Sequence, residues 1–557
     1  MFDPEQMRVF AAEHLPNLTN EQRTVYDNVI TSVQSDTASP NVFMIDAPAG
    51  TGKTYTETII CAHLRSLGKL VLCVASTGIA GLQLPGGWTA HSMFKLPLDE
   101  KNVSGATCNM SAECQRAEVL RECDLIVWDE IPMSHRFSIE ALDLTLQDLL
   151  GNTRKMGGKT VLFSGDMRQI GPVVKHGGPA ETIDASIISS HLWPHVQRMR
   201  LTISQRDRED ASYAAFVRNV GIGAHPHTVT DEGIPAVPLA FVPDTSDLNH
   251  EPFVIDSTDS FEDLINFVYP DILHTDPIAF KSRAILSSTN NTIDTINEYV
   301  LDILPGDLLY AYSCDSVDPD SCDDDSFQFL STSDLNAIDV AGVPPHALSL
   351  KYNAMVMIMR NLNFKQGLVN GQKAIVRGFS PRIVHVELLD GNATLVLIPR
   401  IRFKSKVGKN GITFSRLQLP LRVCYALTIN KSQGQTLSKI GFDLRSDVFT
   451  HGQLYVALSR SQNRSSLKCL TLPARLQGIL NTAAFVSNVT FPPFVMAATD
   501  TLPESPPLPS RYLDFIGCLP KTPPGPPQPP ASIRELPTPP RHPHQHPDGG
   551  WIEAKGV

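Results

Sequence analysis

No apolar run in this chain approaches the ~20 residues a membrane-spanning helix needs, so no transmembrane segment is expected. The opening residues, MFDPEQMRVFAAEH, lack a basic-then-apolar pattern and carry acids, so neither a secretory signal nor a transit peptide is expected. Cysteine is sparse: ten residues in 557, with no Cys-x-x-Cys pair. The nearest group, Cys108, Cys114 and Cys123, fits no common zinc spacing. Such scattered thiols read as reduced and intracellular. A net positive charge, the usual footprint of a nucleic-acid binder, is also missing, because the formal charge is −11 at pH 7. The excess is local. Residues 241–276 hold nine acids and no Lys or Arg, and residues 315–325 hold six acids and no base. Both stretches read as solvated loops. Without those fifteen carboxylates the rest of the chain carries about +4, which permits a basic track for a polyanion. At 557 residues and 42% hydrophobic composition, about three or four domains with real cores are expected.

What is present begins at residues 46–54, Asp-Ala-Pro-Ala-Gly-Thr-Gly-Lys-Thr. An apolar run, Val42 to Ile45, precedes them and reads as a buried strand; an apolar-periodic segment, Tyr55 to Leu67, follows and reads as a helix. Strand, glycine-containing loop and helix are the context a phosphate-binding loop requires. Backbone N–H groups of Ala47, Pro48's neighbours, Ala49, Gly50, Thr51 and Gly52 converge in such a loop on phosphate oxygens, aided by the helix dipole. Lys53 is expected to reach the β- and γ-phosphates, and Thr54 to offer its hydroxyl to Mg²⁺. One position departs from the pattern: Ala47 stands where the first glycine is usual.

Further strands end in residues with chemistry. Leu125 to Asp129 runs into Glu130. Asp129 belongs on the Mg²⁺ side of such a site, and Glu130 is placed to orient or deprotonate the attacking water. Thr160 to Asp166 leads to Gln169, which can sense a γ-phosphate. Leu70 to Ala75 ends in Ser76 and Thr77, small hydroxyl residues suited to close approach of a ligand backbone. Trp88, His91 and Phe94 follow; stacking on bases and ordinary core packing are both open for them. Gln22, one helix upstream of the loop, can hydrogen-bond an adenine edge or be a surface residue.

A second round begins at Arg283 to Asn290, an apolar strand ending in Thr289 and Asn290. It continues through Arg422 to Thr428, then Lys431 and Gln433, and a helix ending at Arg460. Strands alternating with helices in two rounds imply two α/β domains with parallel sheets. Between them, residues 372–420 show short alternating runs broken by Gly and Asn, the pattern of a small antiparallel barrel. It is basic (Lys373, Arg377, Arg382, Arg400, Arg402, Lys404, Lys406, Lys409 and Arg416), so phosphate-backbone binding and a solvated basic face are both open. After Phe491 the composition turns Pro-rich, and a tail that samples polyproline II without folding is expected over 491–557, as a linker or a docking segment for a protein partner.

Taken together these motifs resemble one family, the PIF-type DNA helicases of superfamily 1B, in particular the helicase region of Helitron transposons. The resemblance rests on DAPAGTGKT (46–54), ASTGIAGLQLPGGWTAHSMFKLP (75–97), LIVWDEIPM (125–133), FSGDMRQIGPVV (163–174), ISQRDR (203–208), RAILSSTNNTIDTIN (283–297), residues 341–372, LPLRVCYALTINKSQGQT (419–436) and HGQLYVALSRS (451–461). These run in the family's order and span roughly residues 17–482.

The resemblance implies an α/β chain of two RecA-like P-loop NTPase domains with a small inserted SH3-like β-barrel and a disordered Pro-rich C-terminal tail. In this reading residues 1–16 are a lead, 17–200 the first domain with a wedge insertion at about 96–121, and 201–482 the second domain with its barrel at about 372–420. The implied activity is ATP-dependent 5′-to-3′ translocation on single-stranded DNA and unwinding of tailed or forked duplex, with ATP and Mg²⁺, in a nuclear or mitochondrial setting. DNA repair, recombination, telomere maintenance and Helitron transposition are the implied roles. Gln22 corresponds to the adenine-contacting residue, Lys53, Thr54, Asp129, Glu130 and Gln169 to the ATPase motifs, and Arg206 and Arg460 to two arginine fingers. Ser76, Thr77, His91, Phe94, Thr289, Asn290, Thr428, Lys431 and Gln433 fall in the strand-binding motifs. Two departures, Ala47 for glycine and Ser204-Gln205 before Arg206, together with a start so close to Gln22, raise the alternative of a catalytically impaired, transposon-derived remnant that binds ATP and DNA.

Overall fold

The computed structural model describes residues 2–35, 41–98, 103–175, 177–204, 210–224, 228–229, 235–238, 256–258, 260–317, 331–340, 342–380, 382–389, 393–407, 412–470, 485–500 and 551–553. The chain divides into two compact units, the first formed by residues 1–259, 432–436 and 447–521, the second by 260–431, 437–446 and 522–557.

The first unit is built on six parallel strands. In chain order its elements are α1 (Pro4–His14), α2 (Asn20–Gln34), β1 (Val42–Asp46), α3 (Lys53–Ser66), β2 (Val71–Ala75), α4 (Gly78–Gln83), β3 (Trp88–Thr89), α5 (Ala90–Phe94), α6 (Gln115–Glu122), β4 (Leu125–Asp129), α7 (Arg136–Leu150), β5 (Thr160–Gly165), α8 (Pro179–Ala185), β6 (Gln197–Arg200) and α9 (Ala211–Ile222). The sheet order is β3-β2-β4-β5-β1-β6. β1, β2, β4 and β5 are buried along their whole length, which is why they read as continuous apolar runs without alternation. One apolar cluster, with Phe43, Ile45, Ile59 and Val127, packs α2 and α3 on one sheet face. A second, with Trp128, Phe163, Ile139 and Leu142, packs α7 on the other. Because β5 lies between β1 and β4, the loops that leave these three strands emerge side by side at the carboxyl edge, the usual ligand position in an open α/β sheet.

Several boundaries differ from the sequence reading. The expected lead is the helix α1, seated on α3: the His14 Nδ1 and Tyr55 hydroxyl lie 3.2 Å apart, and Arg65 stacks 4.0 Å over the Phe2 ring. At the other end, the expected tail starts as a folded helix, Pro492–Thr499. Phe491, Phe494, Ala497 and Ala498 belong to the second apolar cluster, so this Pro-led segment buries enough surface to order itself. Phe494 fits because Gly171 faces it; a Cβ there would come within 2.8 Å of the ring. The rest of the Pro-rich stretch, 501–550 and 554–557, lies outside the described residues. The short helix Gln453–Ser459, expected in the second domain, belongs to the first unit, where its Tyr455 bonds the loop after β5.

The second unit has three parallel strands in the order Ala426–Thr428, Arg283–Ser287 and Lys439–Asp443. Its antiparallel part runs 395–399, 383–388, 373–380, 355–358 and 421–423, with a second ladder of 314–317, 412–418 and 401–407. It therefore begins upstream of residue 372. Of the basic residues for which phosphate-backbone binding and a solvated face were both open, Arg382, Arg402 and Lys404 are exposed, while Lys373, Arg377 and Arg416 are engaged within the fold. Arg416 is 1% exposed and paired with Asp315, itself an acid read from sequence as a solvated loop residue. Lys373 donates to the backbone carbonyls of Arg283 (2.8 Å) and Lys281, and Arg377 pairs with Glu387 at 2.6 Å. A short side chain in place of any of these would leave buried acceptors unpaired.

Candidate nucleotide-binding site

The loop after β1 is shaped by two left-handed glycines, Gly50 (φ 88°) and Gly52 (φ 84°). At Gly52 a side chain is excluded twice over, because a Cβ would also lie 2.4 Å from the Gln22 amide nitrogen. Ala47 is different. Its φ is outside the left-handed region, its N–H donates to the Gly165 carbonyl (2.9 Å), and its methyl is buried in the α2–α3 core. Glycine is therefore not required at 47.

Gln22 braces the loop from α2. Thr19 and Gln22 form a reciprocal capping box at the start of α2, which fixes the Gln22 side chain, and its Nε2 donates to the Thr51 carbonyl at 3.0 Å. Its amide is thus engaged with the loop itself. Thr51 closes a tight turn by donating from Oγ1 to the Pro48 carbonyl (2.9 Å).

Lys53 opens α3, and its ammonium donates to Asp129 and, at 3.3 Å, to Glu130. Burial works to lower its pKa, but the carboxylates of Asp129, Glu130 and Glu57 outweigh that and raise it above the ordinary lysine value. Asp129 Oδ1 also accepts from the Ser164 hydroxyl (2.9 Å) and the Glu130 N–H (2.8 Å). Neither Asp129 Oδ2 nor the Thr54 hydroxyl takes part in any hydrogen bond among the described residues. That donor set, one carboxylate oxygen and one hydroxyl beside a phosphate loop, fits Mg²⁺, which keeps most of its shell as water and phosphate. Glu130 stands in the left-handed region (φ 55°), an uncommon place for a residue with a Cβ. Burial raises its pKa, opposed by Lys53 and by Arg460. Its Oε2 is buried without a partner among the described residues, as a group held for a water or ligand would be.

A further layer was not assigned roles from sequence. Asp46, the last residue of β1, accepts from the Met167 N–H (2.9 Å) and Arg168 Nη2 (3.2 Å), and its burial lifts it to about pKa 6. Asp166 accepts from Arg168 Nε (2.6 Å), Gln169 Nε2 (3.3 Å) and the Tyr455 hydroxyl (2.6 Å). The one visible sequence signal was a carboxylate closing each of two otherwise apolar strands. Glu57, one turn beyond Lys53, is fully buried, and among the described residues neither of its oxygens has a hydrogen-bond partner.

Arg460 caps the helix Gln453–Ser459, 5% exposed, its guanidinium donating to the carbonyls of Val456 (3.0 Å) and Gln435 (3.1 Å). It lines one cleft with Pro48, Ala49, Thr51, Tyr213 and Tyr455. Arg206 lies outside the described residues.

The expected strand-contacting residues divide. Phe94 is 0% exposed and packed on Trp128 with centroids 5.6 Å apart, so it is a core residue and no base can stack on it. His91 is exposed. The Ser76 hydroxyl is used to tie strand ends together, bonding the Glu130 carbonyl and Ser134 at 2.7 and 2.8 Å. Thr77 and Thr289 are helix N-caps, the second directly before Asn290. In the second unit Asn290, Thr428 and Lys431 share one crevice with Arg422. Burial and the neighbouring Arg422 lower the Lys431 pKa, an environment that favours an incoming anion. Gln433 is 5% exposed, and neither of its amide atoms has a partner among the described residues.

Residues 17–229 match the family model described as PIF1-like helicase, and residues 335–379 that of the DNA helicase Pif1 2B domain. The ATP-dependent DNA helicase PIF1 of Danio rerio is 26% identical over 481 residues, covering 85% of this chain and 64% of that protein. The chain thus spans less than two thirds of that relative's length. The crystal structure of Pif1 helicase from Candida albicans aligns with TM-score 0.54 and 25% identity over 81% of this chain and 94% of that one. Pif1 from Bacteroides, crystallised with ADP-AlF3 and ssDNA, aligns with TM-score 0.56 and 22% identity over 81% and 92%, a likeness of fold. In sequence and in fold the chain resembles the PIF1-type helicases.

Proposed function

We propose that this chain is an ATP-dependent DNA helicase: a motor that hydrolyses ATP with Mg²⁺ to move 5′ to 3′ along single-stranded DNA and open tailed or forked duplex. The observation that carries it is the pairing of Lys53 with both Asp129 and Glu130 at the carboxyl edge of the sheet, one cation poised between a phosphate loop and two acids. When ATP enters, Lys53 exchanges a carboxylate for phosphate oxygens, and the loop N–H groups hold the β-phosphate. Thr54 and Asp129 would hold Mg²⁺, which would supply neutralising charge to the phosphates. Glu130 orients the attacking water and accepts its proton, a task suited to a carboxylate whose pKa burial has raised. Gln169 and Arg460 face the γ-phosphate, and Arg206 supplies a second guanidinium. Thr289, Asn290, Thr428, Lys431 and Gln433 hold the DNA strand, residues 96–121 carry the wedge, and the Pro-rich segment docks a protein partner. The setting is the nucleus or mitochondrion, in genome maintenance or transposition.

The test is ATP hydrolysis with and without an oligothymidylate, followed by unwinding of duplexes carrying a 5′ or a 3′ single-stranded tail. DNA-stimulated turnover lost in Lys53→Ala, with unwinding of the 5′-tailed duplex alone, supports the reading. A wild-type protein that binds DNA and ATP without turnover would establish the impaired-remnant alternative instead.

A further inference from the structure

Asp166 Oδ2 is shared by two donors from distant parts of the chain. Gln169 Nε2 reaches it from the loop after β5 at 3.3 Å, and the Tyr455 hydroxyl reaches it from the helix Gln453–Ser459 at 2.6 Å. Tyr455 is 2% exposed, so its hydroxyl bond is shielded from bulk solvent. The fit leaves no slack. A Cβ on Gly452 would lie 2.4 Å from the Arg168 carbonyl oxygen, and one on Gly221 would lie 2.7 Å from the Tyr455 ring. His451 extends the seam, with Nε2 3.1 Å from the Met167 carbonyl. The helix that starts here ends at Arg460, whose Nε donates back to the carbonyl of Val456, the residue after Tyr455. On the other side, Arg168 joins Asp166 to Asp46 at the base of the phosphate loop. Among the described residues the buried Gln169 Oε1 has no hydrogen-bond partner, so its amide carries one satisfied and one unsatisfied end.

We infer that Tyr455 is a positioning residue that links Gln169 to Arg460 through the single oxygen Asp166 Oδ2. This rests on the ATPase reading above and names a coupling inside that site. When the Gln169 amide turns to engage a γ-phosphate, its hold on Asp166 changes, and the hydroxyl on the same oxygen carries that change into the helix that aims Arg460. The tight glycine contacts make the helix respond as a body.

Tyr455→Phe keeps the ring and its packing and removes only the hydroxyl. The expected result is a kcat for ATP lowered roughly 10- to 100-fold, the scale of one hydrogen bond to a buried charge, with KM little changed. Gln169→Ala in the same background should add little further loss, because the two residues act as one unit. A second readout does not depend on turnover: hydrogen exchange of the amides of residues 453–460, with and without ADP–aluminium fluoride. Protection on ligand binding is expected in wild type and is expected to be lost in Tyr455→Phe. Wild-type kcat in Tyr455→Phe, fully additive losses in the double variant, or unchanged ligand protection would each overturn the inference. Absent turnover in wild type would instead strike the ATPase reading, while the exchange experiment would still decide the coupling.

Discussion

The Lys53 ammonium donates to Asp129 and, 3.3 Å away, to Glu130, so one cation on α3 is shared by two acids at the end of β4. Removing it has two separable consequences. Lys53→Ala should reduce ATP hydrolysis by roughly 100-fold or more, as for loss of a preorganised charge stabiliser. It should also steepen the pH dependence of stability. In wild type the Lys53 pKa is raised by folding, so its contribution is complete at pH 6–8 and is lost only well above. In the variant Glu130, already raised by burial, loses its cation and binds a proton on folding that the unfolded chain does not. Stability of Lys53→Ala should therefore fall more steeply with rising pH than that of wild type. Parallel urea-denaturation curves across that range would contradict the pairing.

The loop glycines make opposite predictions at neighbouring positions. Ala47 has an ordinary φ and a buried methyl, so Ala47→Gly should leave nucleotide turnover intact and cost about 0.5–1 kcal/mol through added chain entropy. Gly52→Ala meets a left-handed φ of 84° and the Gln22 amide, and should lose nucleotide affinity. Titration of ATP against both variants checks this. A gain of activity in Ala47→Gly would mean that alanine impairs the loop.

Much of the first unit was legible because its strands are buried on both faces and end in chemically specific residues. Val42 to Asp46 and Leu125 to Asp129 declare themselves as apolar runs closed by a loop or an acid. What escaped the sequence depended on long-range contact. Phe94 follows Trp88 and His91 in a segment that could have faced a base, and only the position of Trp128 shows it to be core. Pro492–Thr499 adjoins a Pro-rich stretch and is nonetheless helical, its Phe494, Ala497 and Ala498 packed in the core beside Gly171. Tyr455 and Asp166 are 289 residues apart, and no local pattern connects them.

Charge composition misled most in the antiparallel part of the second unit. Arg416 belongs to the basic set for which a phosphate-binding and a solvated face were both open, yet it forms a bidentate pair with Asp315, both side chains fully buried, and caps the carbonyls of Pro344, Leu335 and Asn336. Arg416→Ala should cost about 3–5 kcal/mol, because it strands a buried carboxylate, while Arg416→Met with Asp315→Leu should recover most of that. Chemical denaturation of the three proteins decides it. A cost below about 1 kcal/mol, typical of an exposed pair, together with weakened DNA binding would restore the surface-cation reading.

Glu57 offers the clearest pH signature. It is fully buried, neither oxygen has a hydrogen-bond partner among the described residues, and burial followed by the nearby Asp129 pushes its pKa well above the ordinary carboxylate value. The folded chain therefore holds a proton at Glu57 that the unfolded chain releases above about pH 4.5. More protons bound in the folded state means that stability falls as pH rises, by up to about 1.4 kcal/mol per pH unit for one proton, from that value up to the folded pKa. Glu57→Gln mimics the protonated acid and should remove this slope, leaving the variant more stable than wild type at pH 7–8 and nearly equal to it at pH 4–5. Urea midpoints measured from pH 4.5 to pH 8 report the difference directly. If the two curves keep a constant offset across that range, Glu57 is ionised in the folded protein and must have found a cation, for which Lys53 is the nearest source.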